Sequence, residues 1–277
     1  MIGQFHFRAS CARTSYPIHQ QTPSRMDGRS TTEVSPMKTR RFLTLAFGSA
    51  CALVQLPTLA QSGTTVDASR VCVTNGEIAK QSVDRFVIES PSSRAVVKSS
   101  DDDFAAIEFE YLGPTSTDTP LAPGRVLRRQ LGLKLHARDS CNVIYVMWNT
   151  DPTVGIQIST KINPTKSTHA QCGVKGYKLV YQSKPGEVPA IRIGEPRRLE
   201  AALKDRTLTV KIDDKDFWHG DIGADAVKSS GYSGIRTDNV RVRFKWLTAP
   251  QLPADKASKD APKVSCKPVA ARASAGS

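Results

Sequence analysis

The sequence predicts an all-β protein, an antiparallel sandwich of two sheets, and three observations carry that prediction. From Val71 to Leu247 apolar residues recur at every second position, the spacing of half-buried strands, while helical spacing is nearly absent. The alternating runs are rich in Val, Ile, Thr and aromatic residues, which suit a pleated surface. Short clusters of Gly, Pro, Asn and Asp separate them. About ten short strands over roughly 190 residues can bury one adequate core, so a single domain is expected.

Each run assigns its residues to two faces. Phe104 to Leu112 places Ile107, Phe109 and Tyr111 on one side and Glu108 and Glu110 on the other. Arg129 to His136 sets Leu131, Leu133 and Leu135 against Gln130, Lys134 and His136. Asn142 to Trp148 follows, then Ile156 to Ile162, which turns Gln157, Ser159 and Lys161 away from its isoleucines. Tyr177 to Tyr181, Thr207 to Ile212 and Asn239 to Trp246 complete the series. In the last, Val240, Val242, Phe244 and Trp246 alternate with Arg241, Arg243 and Lys245. Turns are expected at Gly113-Pro114, Pro123-Gly124, Asn163-Pro164, Pro185-Gly186, Asp213-Asp214 and Asp238-Asn239. Helical turns are offered only by Leu199 to Lys204, which reads equally as a strand, and by Ile222 to Lys228.

The ends read differently from the middle. Met37 to Ser62 has the layout of a secretion signal: Lys38, Arg40 and Arg41, then an apolar run from Phe42 to Leu56 too short to span a bilayer, then small residues at Thr58 and Ala60. The expected organisation is an upstream extension over 1–36, a signal peptide over 37–60, the sandwich over 61–249 and a disordered Ala/Lys/Ser/Pro-rich tail over 250–277. A periplasmic or secreted protein without a transmembrane span follows, exported by the general secretory route or, given Arg40-Arg41, the twin-arginine route. Cys51 follows Gly48-Ser49-Ala50, where a lipoprotein signal usually carries Leu in place of Gly48, so a lipid anchor there is not favoured.

Charge and cysteine content narrow the field. The chain holds 39 Lys+Arg against 26 Asp+Glu; residues 1–60 contain 7 and 2 of these, leaving 32 against 24, a net +8, beyond them. The basic residues are interleaved with acids, so a solvated surface is expected and nucleic acid is not expected as a partner. Cys72, Cys141, Cys172 and Cys266 lack the CxxC spacing of a zinc site; an even count in an exported chain favours two disulfides, with three pairings open. Cys141 and Cys172 flank adjacent presumed antiparallel segments and are the preferred pair, which leaves Cys72 with Cys266.

The segments LGLKLHARDSCNVIYVMWN, ISTKINP, LEAALKDRTLTVKIDDKDFW and GYSGIRTDNVRVRFKW, in that order, resemble the concanavalin A-like lectin/glucanase jelly roll. The match covers about 150 residues, with Asp213-Asp214 at the family's hairpin and Gly234 to Asn239 at the turn before its closing strand. The resemblance implies two packed sheets, with carbohydrate sites on the concave side or in edge loops. Its laminarinase-type members carry two catalytic acids on one strand. The nearest stretch here, Glu108-Phe109-Glu110-Tyr111-Leu112, has Leu112 or Gly113 where the third acidic position stands, so the pattern is incomplete. Glu108 and Glu110 share a face roughly 7 Å apart along the strand, whereas a retaining pair needs carboxyls about 5–5.5 Å apart.

Trp148 and Asn149, followed by Asp151-Pro152, pair a ring that stacks on a pyranose with an amide that reads hydroxyls. Tyr145 and Trp148 have opposite parity, so at least one of them belongs to the core. Gln130, Lys134, His136, Gln157 and Lys161 form the polar face of neighbouring strands, either a groove or the wet side of a sheet. His136, His169 and His219 lack metal-ligand spacing; Asp101-Asp102-Asp103 is a candidate for structural calcium but reads first as a charged loop, and no other cofactor is expected. The leading expectation is an exported, non-catalytic module for an envelope or extracellular glycan. A hydrolase using Glu108 and Glu110, or a structural envelope protein without a small ligand, are the alternatives.

Overall fold

The computed structural model describes residues 63–98, 103–120, 127–228, 230–249 and 264–271. The expected extension and signal peptide, Cys51, Asp101, Asp102, the Pro123-Gly124 turn and most of the expected disordered tail lie outside these residues. In chain order the strands are β1 (Thr64–Thr65), β2 (Val71–Asn75), β3 (Ala79–Lys80), β4 (Arg85–Ile88), β5 (Ser92–Val97), β6 (Phe104–Pro114), β7 (Arg129–Leu135) and β8 (Asn142–Asp151). They continue with β9 (Gly155–Ile162), β10 (Tyr177–Gln182), β11 (Pro196–Lys204), β12 (Thr207–Ile212), β13 (Lys215–Asp221), β14 (Gly234–Asp238), β15 (Val240–Thr248) and β16 (Ala270–Ala271). A short helix, α1 (His169–Cys172), interrupts them.

Two sheets result. One runs β13-β12-β11-β6-β15-β4-β3-β16, with β1 also on β15; the other runs β10-β9-β8-β7-β14-β5-β2. The strands of both pair antiparallel except β16, which joins β3 in parallel. This is the two-sheet sandwich that the alternation predicts. Leu131, Leu133, Leu135, Ile144, Val146, Trp148 and Ile235 from one sheet share a core with Ile107, Phe109, Leu199, Val242, Phe244 and Trp246 from the other. Trp148 meets Phe109 edge-on, ring centroids 5.9 Å apart. Fully burying one such side chain contributes about 1.5–3 kcal/mol, so alternation alone fixes which face of each strand turns inward.

Turn chemistry explains most of the connections. Asp213 and Asp214, at φ of 50° and 64°, make the β12–β13 hairpin, and Asn239, at 56°, turns β14 into β15. Two expectations need correction. Gly113-Pro114 is not a turn but the end of β6, where a register shift opposite Arg241 and Val242 absorbs the glycine's φ of 102°. Ile222 to Lys228 is not helical: isolated three-residue closures run from Ala226 to Gly223 and from Lys228 to Asp225. Leu199 to Lys204 lies within β11.

Disulfides join Cys141 to Cys172, with Cα atoms 6.0 Å apart, and Cys72 to Cys266, 4.8 Å apart. Such bonds persist in oxidising compartments, consistent with an extracellular or periplasmic protein. Cys266 is not the sole tether of its segment, since Lys267 exchanges backbone hydrogen bonds with Val73 and the Ala270 amide donates to Ile78. Among the described residues no helix is long and apolar enough to cross a membrane.

Candidate functional site

The strand that sends Leu131, Leu133 and Leu135 inward sends Gln130, Gly132 and Lys134 outward. Register then builds rows across the outer face of the seven-stranded sheet. Lys134 stands between Tyr145 on β8 and Gly234 on β14; Gly132 stands between Met147 and Arg236; Gln130 stands between Asn149 and Asp238. Arg94 on β5 is opposite Arg236. A depression of about 380 Å³ opens on this face, lined by Arg94, Lys134, Tyr145, His169, Tyr177 and Arg236 among others.

Its floor is a layered stack. The Arg236 guanidinium lies 5.2 Å from the Tyr145 ring centroid, Tyr145 stacks on Tyr177 at 5.9 Å, and Lys161 Nζ lies 4.7 Å from the Tyr177 centroid. One buried carboxylate serves the arginines. Asp238 Oδ2 accepts from Arg236 Nε at 2.8 Å and Gln130 Nε2 at 2.7 Å, and Oδ1 accepts from Arg94 at 3.1 Å. Lys161 Nζ donates to the Ser140 carbonyl at 2.7 Å and lies 3.1 Å from His169 Nδ1.

Lys134 has no such support. It is 6% exposed, yet among the described residues its amine has no hydrogen-bond or ion-pair partner. Burial, reinforced by Arg94 and Arg236, pushes this amine down to about 7. Burial, then Arg236, likewise brings Lys161 down to about 8, and burial with Lys161 lowers His169. Burial pushes the Tyr145 hydroxyl up to about 12.

The sequence-predicted residues divide sharply. Lys134 and Lys161 lie on the polar face as expected, and Gln157 shares it, accepting from Arg128 at 3.4 Å. Gln130 is on that face but buried, its amide committed to Asp238. Asn149 is 7% exposed, and its Oδ1 has no partner among the described residues. Trp148 is a correction: it is fully buried in the inter-sheet core and presents no ring face to a ligand. His136 is another. Its φ of 50° breaks the alternation, and its Nε2 meets Asp103 Oδ1 at 2.6 Å, just before β6 of the other sheet. That contact also engages the one described member of the Asp101–Asp103 run.

Glu108 and Glu110 lie on the outer face of the other sheet. Glu108 accepts from Arg198 at 2.8 Å and Glu110 from Arg243 at 3.0 Å, with Arg85 3.8 Å from Glu110. Both carboxylates are thus engaged in ion pairs across neighbouring strands of that sheet. Sequence reasoning passed over Arg94, Arg236, Tyr177 and the place of His169 in the lining of the depression. The signal for Arg236 was present: period two through Gly234–Asp238 puts Gly234, Arg236 and Asp238 on one face.

No protein-family model matches the chain, and no curated protein matches it. Solved structures with a similar chain path include the carbohydrate-binding module CBM66 from Bacillus subtilis, 13% identical, TM-score 0.45, covering 64% of this chain and 92% of that one. A GH16 protein from the Bacteroides ovatus mixed-linkage glucan locus is 10% identical, TM-score 0.40, covering 70% and 90%. The Caenorhabditis elegans galectin LEC-6 is 11% identical, TM-score 0.36, covering 59% and 95%.

Proposed function

We propose that the protein is an exported, non-catalytic glycan-binding module whose ligand lies on the outer face of the seven-stranded sheet. The observation that carries this reading is the depression over the Tyr145–Tyr177 pair, where amine, guanidinium and amide donors converge on an aromatic floor. Concave sites of that composition suit a hydroxyl-rich ligand, since the half-buried Tyr177 ring supplies contact area and the donors read hydroxyls. The two disulfides support export, with the leader removed near Gln61. N-terminal sequencing of the exported protein tests that part; a chain still carrying residues 1–36 would refute it.

The binding reading is tested on a glycan array run beside a reducing-sugar release assay, with the disulfides intact. Binding without release is expected, weakened by about 1–3 kcal/mol in Tyr177→Ala, the scale of one lost aromatic contact. Sugar release that disappears in Glu108→Gln or Glu110→Gln would establish the hydrolase instead. Silence in both assays would favour a structural role.

A further inference from the structure

We infer that the depression takes an anionic saccharide, one whose carboxylate or sulfate sits against Lys134 between Arg94 and Arg236. The inference rests on the glycan-binding reading and narrows its ligand class. Arg94, Lys134 and Arg236 line the depression and Lys161 stands over the Tyr177 ring, while the buried carboxylate of this face, Asp238, pairs with the two arginines. Arg138 and Asp139 stand at the rim, the Asp139 carboxylate accepting from the Cys141 amide at 2.7 Å and from Asn142 Nδ2 at 2.9 Å. Asp238 already serves both arginines and stands four residues along β14 from Gly234, the residue opposite Lys134. At strand rise that is about 13 Å, beyond the reach of an ion pair.

An amine so largely shielded and without a protein partner is costly to keep charged, and an apolar side chain of similar length would fill the same space at lower cost. A lysine placed there without a carboxylate, at a depression open to solvent, is complementary to a negative charge that arrives with the ligand. Charge-assisted hydrogen bonds of this kind are about twice as strong as neutral ones. Thr74, Asn75 and Ser140 also line the depression. The Thr74 hydroxyl donates to the Arg94 carbonyl, the Asn75 amide to Ser92, and the Ser140 carbonyl accepts from Lys161, so they hold the wall and leave acceptor oxygens toward the ligand.

The test uses the full protein with disulfides intact and two matched pairs of probes: galacturonate against galactose, followed by thermal unfolding, and carboxymethylcellulose against hydroxyethylcellulose, followed by affinity electrophoresis. Galacturonate is expected to raise the unfolding temperature where galactose does not. The carboxylated polymer is expected to bind at least tenfold tighter than its neutral partner. Lys134→Met should lose about tenfold or more, whereas Lys215→Met, which removes the same charge from an exposed position on β13, should stay within about twofold. Arg94→Gln, at a partly exposed position, gives the same reading should Lys134→Met alter the fold.

Equal binding of neutral and acidic partners would overturn the anion inference and leave the glycan reading standing. Equal losses in Lys134→Met and Lys215→Met would reduce the preference to diffuse charge and overturn the inference too. Protection by galacturonate that depends on Lys134, without retention by any polysaccharide, would support the anion subsite and count against the glycan module. Protection by neither sugar, with binding only to phosphatidylglycerol vesicles or single-stranded DNA, would overturn the saccharide class.

Discussion

The stem of Lys134 lies across Gly234, so closely that a Cβ on Gly234 would stand 2.7 Å from Lys134 Cε. The same Cβ would stand 2.5 Å from the carbonyl oxygen of Ala95 on the next strand. The lysine can swing aside, but the backbone of β5 cannot. Gly234→Ala is therefore expected to destabilise the protein by about 1–3 kcal/mol, the usual cost of overpacking, and to displace the Lys134 amine. Urea unfolding measures the first effect; unchanged stability would show that β5 and β14 separate more easily than their register implies.

Trp148 separates stability from binding. Its ring is fully buried, set edge-on against Phe109 with the Arg197 guanidinium 5.4 Å from its centroid. Trp148→Ala should cost about 3–5 kcal/mol in unfolding free energy. Ligand affinity measured on the folded fraction should be unchanged, because the ring belongs to the opposite face of β8 from Tyr145. A selective loss of affinity with stability intact would place the ring in the binding surface after all.

The alternation of single strands was legible because burial of one face is a strong, local constraint. It put Leu131, Leu133 and Leu135 inward and Gln130, Lys134, Gln157 and Lys161 on the opposite face. What alternation cannot specify is which strands are neighbours. Arg236 reaches the row of Gly132 only because β14 inserts between β5 and β7, about a hundred positions from β7 in the chain. Gly and Asp also give β14 weak strand propensity, so its place at the centre of a sheet comes from tertiary pairing. His136 was misplaced for a local reason, since its left-handed backbone ends the period that the sequence pattern extends through it.

The two disulfides should not contribute equally. Cys141–Cys172 spans 31 residues and links the start of β8 to α1, so breaking it with paired serines should cost about 3–4 kcal/mol through the entropy of the unfolded chain. Cys72–Cys266 spans 194 residues, for which the same relation gives a larger value, about 5 kcal/mol. Yet its C-terminal partner holds only the segment 264–271, attached by a few backbone hydrogen bonds to β2 and β3 and by the packing of Val264 and Val269. That segment can detach while the sandwich stays folded, which returns entropy to the native state as well. The serine pair at 72 and 266 should therefore destabilise less than the loop relation gives, with early exchange of the Lys267 and Ala270 amides. A full loss of about 5 kcal/mol would show that the segment is integral to the sandwich.

The buried amines set a pH dependence with a definite sign. Lys134 is held down to about 7 by burial and then by Arg94 and Arg236; Lys161 is held to about 8 by burial and then by Arg236; the ordinary lysine value is 10.5. Between about 7 and 10.5 the unfolded chain binds more protons than the folded one, so stability should rise with pH across that window. The penalty is fully present below the folded value and relieved above it. Around Lys134 stand Arg94 on β5, Arg236 on β14 and Tyr145 on β8, with Lys161, His169 and Tyr177 beyond them; the carboxylates of this face are Asp238, shared by the arginines, and Asp139 at the rim. Tyr145, pushed up to about 12, opposes the trend once unfolded tyrosines ionise, which restricts the measurement to roughly pH 6.5–9.5. Urea midpoints of the wild-type protein should climb across that range, and Lys134→Met should be more stable at neutral pH and climb less. Affinity for galacturonate should run the other way, falling as pH rises past about 7, because only the protonated amine attracts the anion. Parallel stability curves for wild type and Lys134→Met would mean that the amine reaches water and carries no buried charge.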